Sequence, residues 1–392
     1  MAYPFYDKLN RHRQERKITM IYLDYAADTP VRKEVLQAFH DASEKYFANP
    51  NANHALGRAA KACIDEMTVK MAELLKIKPE ELIFTSGATE SNNLAIKGIA
   101  EQYGRKGKHI ITSYLEHSSV TGPLSYLQQK GYEVDYVQLM PDGRINLEHL
   151  QELLRPDTIL LSFAAVDSEV GVIQDLGAIR KLLDNYPNCF LHVDATQAIG
   201  KVNIDIEQID LMTFTAHKLY GVHGIGALIK KEKIYLTPII HGGLSTTPFR
   251  SGTPTLALIY SMYTALELAL KEQDKVYKHV EVLNRKLRKA LSQYPEVLIN
   301  SDEKVASPYI LNISLKGIKA AMMQQQLEER EIYVSTKSAC VTPNTPSRPV
   351  LALSGDRKRA LSTLRISLSY LTTEDEINRF IDAFKACYEA LK

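Results

Sequence analysis

The chain has 392 residues, 45% of them apolar, which is ordinary for a globular protein and enough for one large and one smaller folded unit. Lys and Arg total 48 against 46 Asp and Glu, a balance that argues against a protein built mainly to bind nucleic acid or an anionic membrane. No apolar run approaches the roughly 18 residues a membrane-spanning helix needs. Four cysteines (Cys63, Cys189, Cys340 and Cys387), none at the spacing of a zinc pair, exclude a disulfide framework. Reduced thiols in a cytoplasmic enzyme with no metal and no membrane contact are the expectation.

Residues 1–19 are polar and crowded with Lys8, Arg11, Arg13, Arg16 and Lys17, without the apolar core of a signal peptide. Met20 stands directly before the strand-like Ile21-Tyr22-Leu23, so residues 1–19 are expected to be a dispensable extension. From about residue 31, helical periodicity at 31–46, 57–76, 89–103, 119–130, 146–154 and 175–186 is interspersed with short apolar, β-rich runs. Those runs fall at 82–85, 109–112, 133–137, 158–165, 189–193, 211–215 and 226–229. They predict an α/β fold with a mostly parallel, seven-stranded sheet covered on both faces. Ligands in such sheets sit outside the carboxyl ends of the strands.

A long helix is expected over 255–293, followed by a smaller α+β unit with strands at 310–315 and 365–369 and helices at 319–330 and 374–390. Pro343, Pro346 and Pro349 predict an irregular loop between them. The expected organisation is an extension (1–19), a large unit (20–260) whose first segment packs with the small one, and a small unit (261–392).

Three strand ends carry residues with chemical potential. Ser86-Gly87-Ala88-Thr89-Glu90 is a small-residue turn opening a helix, where free N–H groups and the dipole favour a phosphate; ordinary helix caps share this pattern. Asp194, in His192-Val193-Asp194-Ala195-Thr196-Gln197, can pair with a protonated pyridine nitrogen or merely cap a loop. Lys218, in Phe214-Thr215-Ala216-His217-Lys218, can attach an aldehyde cofactor if sheltered, although most loop lysines are solvated charges. Glycines at 221, 224 and 226 follow closely, which suits backbone pressed near a ligand. Cys340 has small polar neighbours and a proline-rich stretch after it, unlike Cys63 and Cys387 in their apolar helical runs. An incidental loop thiol would look the same.

Together these segments resemble the class V aminotransferase group of fold-type I pyridoxal-phosphate (PLP) enzymes, and within it the NifS-like cysteine desulfurases. The resemblance runs from residue 21 to 390 in the family's order. It takes in Tyr22-Leu23-Asp24, Asn49-Pro50, His54, 84–93, Glu116-His117, Glu169-Val170-Gly171, 192–197, Ala216-His217-Lys218, Arg250-Ser251-Gly252-Thr253, Ser338-Ala339-Cys340 and 364–368.

The resemblance implies a fold-type I PLP-dependent transferase. Lys218 would carry the cofactor and move protons, His117 would stack on the ring as acid or base, Asp194 would pair with its nitrogen and Gln197 would reach the phenolate side. Ala88 and Thr89, with Thr215 and His217, would hold the phosphate. Thr253 would reach the phosphate of the other subunit, making a homodimer. Arg365 would grip the substrate carboxylate. Cys340 would take sulfur from L-cysteine as a persulfide, leaving L-alanine, and pass it to an acceptor protein for tRNA thiolation, iron–sulfur clusters or a thio-cofactor.

Some positions depart from the family pattern. Ser168 replaces an Asn that touches the cofactor, and Tyr25 another Asn. Val222-His223 and Leu244-Ser245-Thr246 replace other family residues, and Ser369 a Gly. These keep two alternatives open: a PLP lyase for selenocysteine or another β-substituted amino acid, and a weakly active PLP-binding paralogue acting through a partner.

Overall fold

The computed structural model describes residues 20–243, 245–336 and 345–392. Its strands, in chain order, are β1 (Ile21–Tyr22), β2 (Leu82–Thr85), β3 (His109–Thr112), β4 (Glu133–Tyr136), β5 (Thr158–Ala164), β6 (Phe190–Asp194), β7 (Leu211–Thr215), β8 (Gly226–Lys230), β9 (Val297–Ile299), β10 (Ile310–Leu315), β11 (Ile332–Tyr333) and β12 (Thr363–Ser367). Seven of them form one sheet in the order β2-β8-β7-β6-β5-β3-β4. The ladders from β4 through β3, β5 and β6 to β7 are parallel, and β8 runs antiparallel to both β7 and β2.

Alternate residues of each strand serve opposite faces of this sheet. Phe84, Ile111, Leu161, Leu191 and Phe214 pack toward the helices Lys33–Lys45, Ala55–Leu75 and the start of Leu256–Leu291. Ile83, Ile110, Leu160, Leu211 and Leu228 pack toward Ala88–Tyr103 and Ser118–Gln129. Burial on both faces is why β2, β3, β7 and β8 read as near-continuous apolar runs.

A second core is built on the three-stranded antiparallel sheet β12-β10-β9, with the helices Ala320–Glu328 and Glu374–Leu391. Ile21, Leu23 and Ala26 belong to this core. The helix Leu256–Leu291, about 54 Å long at ~1.5 Å per residue, serves both. Leu256, Ile259, Met262 and Leu266 lie in the first core, and Val280, Leu283, Leu287 and Leu291 in the second. The division expected at 260/261 falls inside this helix.

Two of the differences from the sequence reading lie near the site. The strand expected at 365–369 is Thr363–Ser367, because β12 pairs with β10 from Thr363 and the Ser369 N–H turns away to the Thr372 hydroxyl. The proline-rich loop contains a helix, Arg348–Ser354, capped by the Ser347 hydroxyl accepting from Val350 N–H. Pro349 lies in its first turn, where a missing N–H costs nothing. Among the described residues no helix is long and apolar enough to cross a membrane.

One sheet residue makes stability pH-dependent. His192 is fully buried in β6, with Nδ1 2.8 Å from Ser162 Oγ and Nε2 3.2 Å from Thr213 Oγ1. Burial pushes its pKa down from 6.5 to about 4. A group held neutral in the fold but free to protonate when unfolded contributes nothing above pH 6.5 and destabilises as pH falls toward 4. The loss is on the order of 3 kcal/mol. Urea midpoints measured at pH 7.5 and 5 should fall further for the wild type than for His192→Gln; equal falls would contradict this.

Candidate active site

The carboxyl ends of the parallel strands open onto a cavity of about 400 Å³. Ala88, Thr89, His117, Ser168, Asp194, Gln197, Thr215, His217, Lys218 and Arg365 all line it. Two predicted residues are not in this set. Thr253 is exposed on the stretch leading into the long helix and is not among the residues lining this cavity. Cys340 lies outside the described residues.

At one end, β2 passes through Ser86 and Gly87 into the helix Ala88–Tyr103. A Cβ on Gly226 would stand 2.6 Å from Gly87 Cα, so only glycine at 226 lets this turn rest on β8. Glu90 Oε2 accepts from Ser86 N–H at 2.7 Å, and Arg250 Nε donates to Glu90 Oε1 at 2.9 Å. Burial works to raise the Glu90 pKa, but Arg250 and Ser86 overcome it and hold the carboxyl below its ordinary value. The result is a braced cradle of backbone N–H groups at a helix start, facing Thr215 and His217 at the end of β7. The His217 ring stacks on His223 with centroids 5.0 Å apart. Burial, aided by Lys218 and His223, pushes His217 down to about 4, so it is neutral at physiological pH.

Deeper in, Asp194 ends β6 and is buried. Its Oδ2 accepts from Asn92 Nδ2 at 2.8 Å, and its Oδ1 from Thr196 N–H at 3.0 Å. Asn92 Nδ2 also donates to Ser119 Oγ at 2.9 Å, and Ser119 Oγ lies 2.9 Å from His117 Nδ1. His117 caps the helix Ser118–Gln129, with Nδ1 accepting from Ser119 N–H at 3.2 Å. That backbone donor fixes the neutral tautomer with its proton on Nε2. Burial lowers the His117 pKa, with Asp194 opposing and Lys218 reinforcing the shift.

Lys218 closes the short turn Ala216–Lys218 after β7. Its Nζ donates to Ala26 O at 2.9 Å and to Ala27 O. The turn is pinned on its other side: Thr29 Oγ1 donates to His217 O at 2.6 Å and accepts from Tyr220 N–H at 3.0 Å. Tyr220 holds a left-handed backbone (φ 61°), and its hydroxyl is 2.6 Å from Ser369 Oγ. The hydroxyl at 369, absent from the family's glycine, therefore anchors a strained residue two positions from Lys218.

Arg365 is buried, its Nη2 donating to Asp24 Oδ1 and its Nη1 to Ser168 O, both at 2.8 Å. The contact with Ser168 is through backbone, so it does not depend on the side chain there. Asn92 and Asp24 sit inside motifs visible in the sequence, but their roles as braces for Asp194 and Arg365 were not foreseen. Ser119 and Lys201 gave no signal at all.

These residues fit PLP. A phosphate would suit the cradle at Gly87–Thr89, a pyridinium the buried Asp194 carboxylate, and an aldehyde the Lys218 amine, all of which line the same cavity. A cavity of about 400 Å³ is in the range that takes a small cofactor. Fold and cavity together define a fold-type I PLP-binding site.

Comparison with known proteins agrees. The description "Aminotransferase class-V" matches residues 21–380. Cysteine desulfurase IscS of Dictyoglomus turgidum is 35% identical over 376 residues, covering 95% of each chain. A solved NifS-like protein superposes with a TM-score of 0.88 at 32% identity, covering 95% of this chain and 99% of that one. SspA, solved in complex with cysteine, superposes with a TM-score of 0.79 at 32% identity, covering 91% and 100%. The chain belongs to the class-V aminotransferase family and, within it, to the PLP-dependent cysteine desulfurases.

Proposed function

We propose that Lys218, His117, Asp194, Arg365 and Cys340 divide the desulfuration of L-cysteine among them. The observation that carries this reading is the convergence of Lys218, Asp194 and His117 on one cavity at the strand ends. When bound, PLP supplies an aldehyde for amines and a ring that withdraws electrons from the substrate's α-carbon. Asp194, whose two oxygens accept from Asn92 Nδ2 and Thr196 N–H, would pair with the ring nitrogen. Arg365 orients the substrate carboxylate through its guanidinium. Lys218 Nζ moves the proton at the α-carbon, and His117 Nε2–H is the second proton donor in the cavity.

Sulfur then leaves through Cys340. The Cys340 thiolate attacks the substrate sulfur, the carbon–sulfur bond breaks, and the β-carbon takes a proton to give L-alanine. Cys340 is left with a persulfide. Two thiol sulfurs are oxidised to the persulfide level as the β-carbon is reduced, so no outside oxidant is needed. The persulfide passes to an acceptor protein, for tRNA thiolation, iron–sulfur cluster or thio-cofactor synthesis. That a similar protein was solved with cysteine supports the substrate.

Incubation of the PLP-loaded protein with L-cysteine should yield alanine and enzyme-bound sulfur in equal amounts in the first turnover. Alanine formed from L-selenocysteine but not from L-cysteine, or no turnover without a partner protein, would overturn this reading. A homodimer is part of the proposal, supported by Thr253, exposed beside Arg250, which braces the phosphate cradle. A monomeric mass by light scattering for the active protein would contradict it. Free Cys63, Cys189 and Cys387 support a cytoplasmic setting, which cell fractionation checks.

A further inference from the structure

A second buried amine stands behind Lys218. Lys201 follows the turn after β6 and is only 7% exposed. Its Nζ donates to Gln197 Oε1 at 2.9 Å. Gln197 Nε2 in turn donates to Ala26 O at 2.9 Å, and the same carbonyl accepts from Lys218 Nζ at 2.9 Å. Gln197 and Lys218 line the active-site cavity; Lys201 does not. Lys201 and Lys218 share instead a small cavity of about 20 Å³ on the far side, beside Tyr309.

Burying an amine in this place carries a desolvation cost that one neutral hydrogen bond does not offset, so stability alone does not account for it. Burial, with Lys218 and Arg365 adding, pushes its pKa down to about 7. What the amine does is fix the Gln197 amide. Reversing that amide would set its NH2 against the Lys201 amine and its oxygen against Ala26 O, two unfavourable pairs in place of two hydrogen bonds.

We infer that Lys201 is a positioning residue for the cofactor site: by holding Gln197 Oε1 it directs the Gln197 N–H to the carbonyl that also holds Lys218. It acts through Gln197 and Ala26 and does not touch the cofactor. The inference rests on the PLP reading above.

The test uses apoprotein titrated with PLP, together with the pH midpoint of the bound-cofactor absorbance and the melting temperature of the apoprotein. Lys201→Met should weaken PLP affinity about 5-fold, the value of one net hydrogen bond, and should displace the pH midpoint. Its apoprotein should melt at or above the wild-type temperature, because Met fills the same space without a buried amine. In a Gln197→Leu background, Lys201→Met should add less than about a 2-fold change, since the path it acts through is gone. Wild-type affinity and midpoint in Lys201→Met would overturn the inference. So would losses that multiply in the double variant, or an apoprotein that melts far below wild type, which would mark a structural role. Wild-type apoprotein that takes up no PLP would instead overturn the cofactor reading, and this inference with it.

Discussion

Replacing Lys218 by Ala should cut alanine formation from L-cysteine by about a thousandfold or more and leave PLP held only non-covalently. The physical reason is position as much as chemistry. Lys218 Nζ is held by the carbonyls of Ala26 and Ala27, on a turn fixed by Thr29 and by Tyr220. Among the described residues no other amine lines the cavity. Lys201, the nearest candidate, is on the far side of Gln197 and engaged by it. After borohydride treatment, denatured wild type should carry the cofactor mass and Lys218→Ala should not. The phosphate cradle and Asp194 remain in the variant, so it should still bind PLP reversibly. A variant that retains the reduced cofactor, or turns over near the wild-type rate, would show that another amine does this work.

Cys340→Ser should abolish the protein-bound persulfide while leaving PLP affinity unchanged. The other three cysteines are poor acceptors on physical grounds. Cys63, Cys189 and Cys387 are buried, and burial raises the pKa of each thiol, which keeps the thiolate scarce. Cys340 lies outside the described residues, but both flanks of its segment meet the site. Ser335 pairs through its backbone with Arg365, at 2.6 and 3.2 Å. Pro346 and Ser347 line a cavity of about 170 Å³ together with His117 and Ser168. A serine hydroxyl is far less ionised and far less nucleophilic than a thiol, so the substitution removes the acceptor without touching the cofactor cradle. Serine at 63, 189 or 387 should leave turnover within about twofold, the range of an ordinary packing change that does not reach the site. Persulfide accumulating on Cys340→Ser at the wild-type rate would place the acceptor elsewhere.

The sheet was legible where burial on both faces writes itself into the chain. Leu82–Thr85, His109–Thr112 and Leu211–Thr215 are near-continuous apolar runs, buried from end to end, and their limits came out as expected. β1 was also anticipated, at Ile21-Tyr22-Leu23, but β11 and the short β9 were not, because two or three residues carry no period to read. Ser347 and Pro349 starting a helix inside a proline-rich stretch could have been foreseen from helix capping, but the prolines were weighed as breakers.

The site divides in the same way. Lys218 and Asp194 stand at strand ends, where topology places ligands, and short motifs announce them. The supports are different. Asn92 links Ser119 to Asp194 only through the apposition of two helix starts and a strand end, and nothing local marks that link. Lys201 reads as one more surface charge until the fold buries it against Gln197.

On the proposed reading the chain takes sulfur from L-cysteine onto one thiol, that of Cys340. Mass spectrometry of the PLP-loaded protein after brief treatment with L-cysteine, with thiols alkylated and the protein digested, tests it most directly. The predicted result is the added mass of one sulfur on the peptide containing Cys340, absent from Lys218→Ala and from the peptides of Cys63, Cys189 and Cys387. Alanine formed at the wild-type rate with no sulfur added at Cys340 would contradict the account.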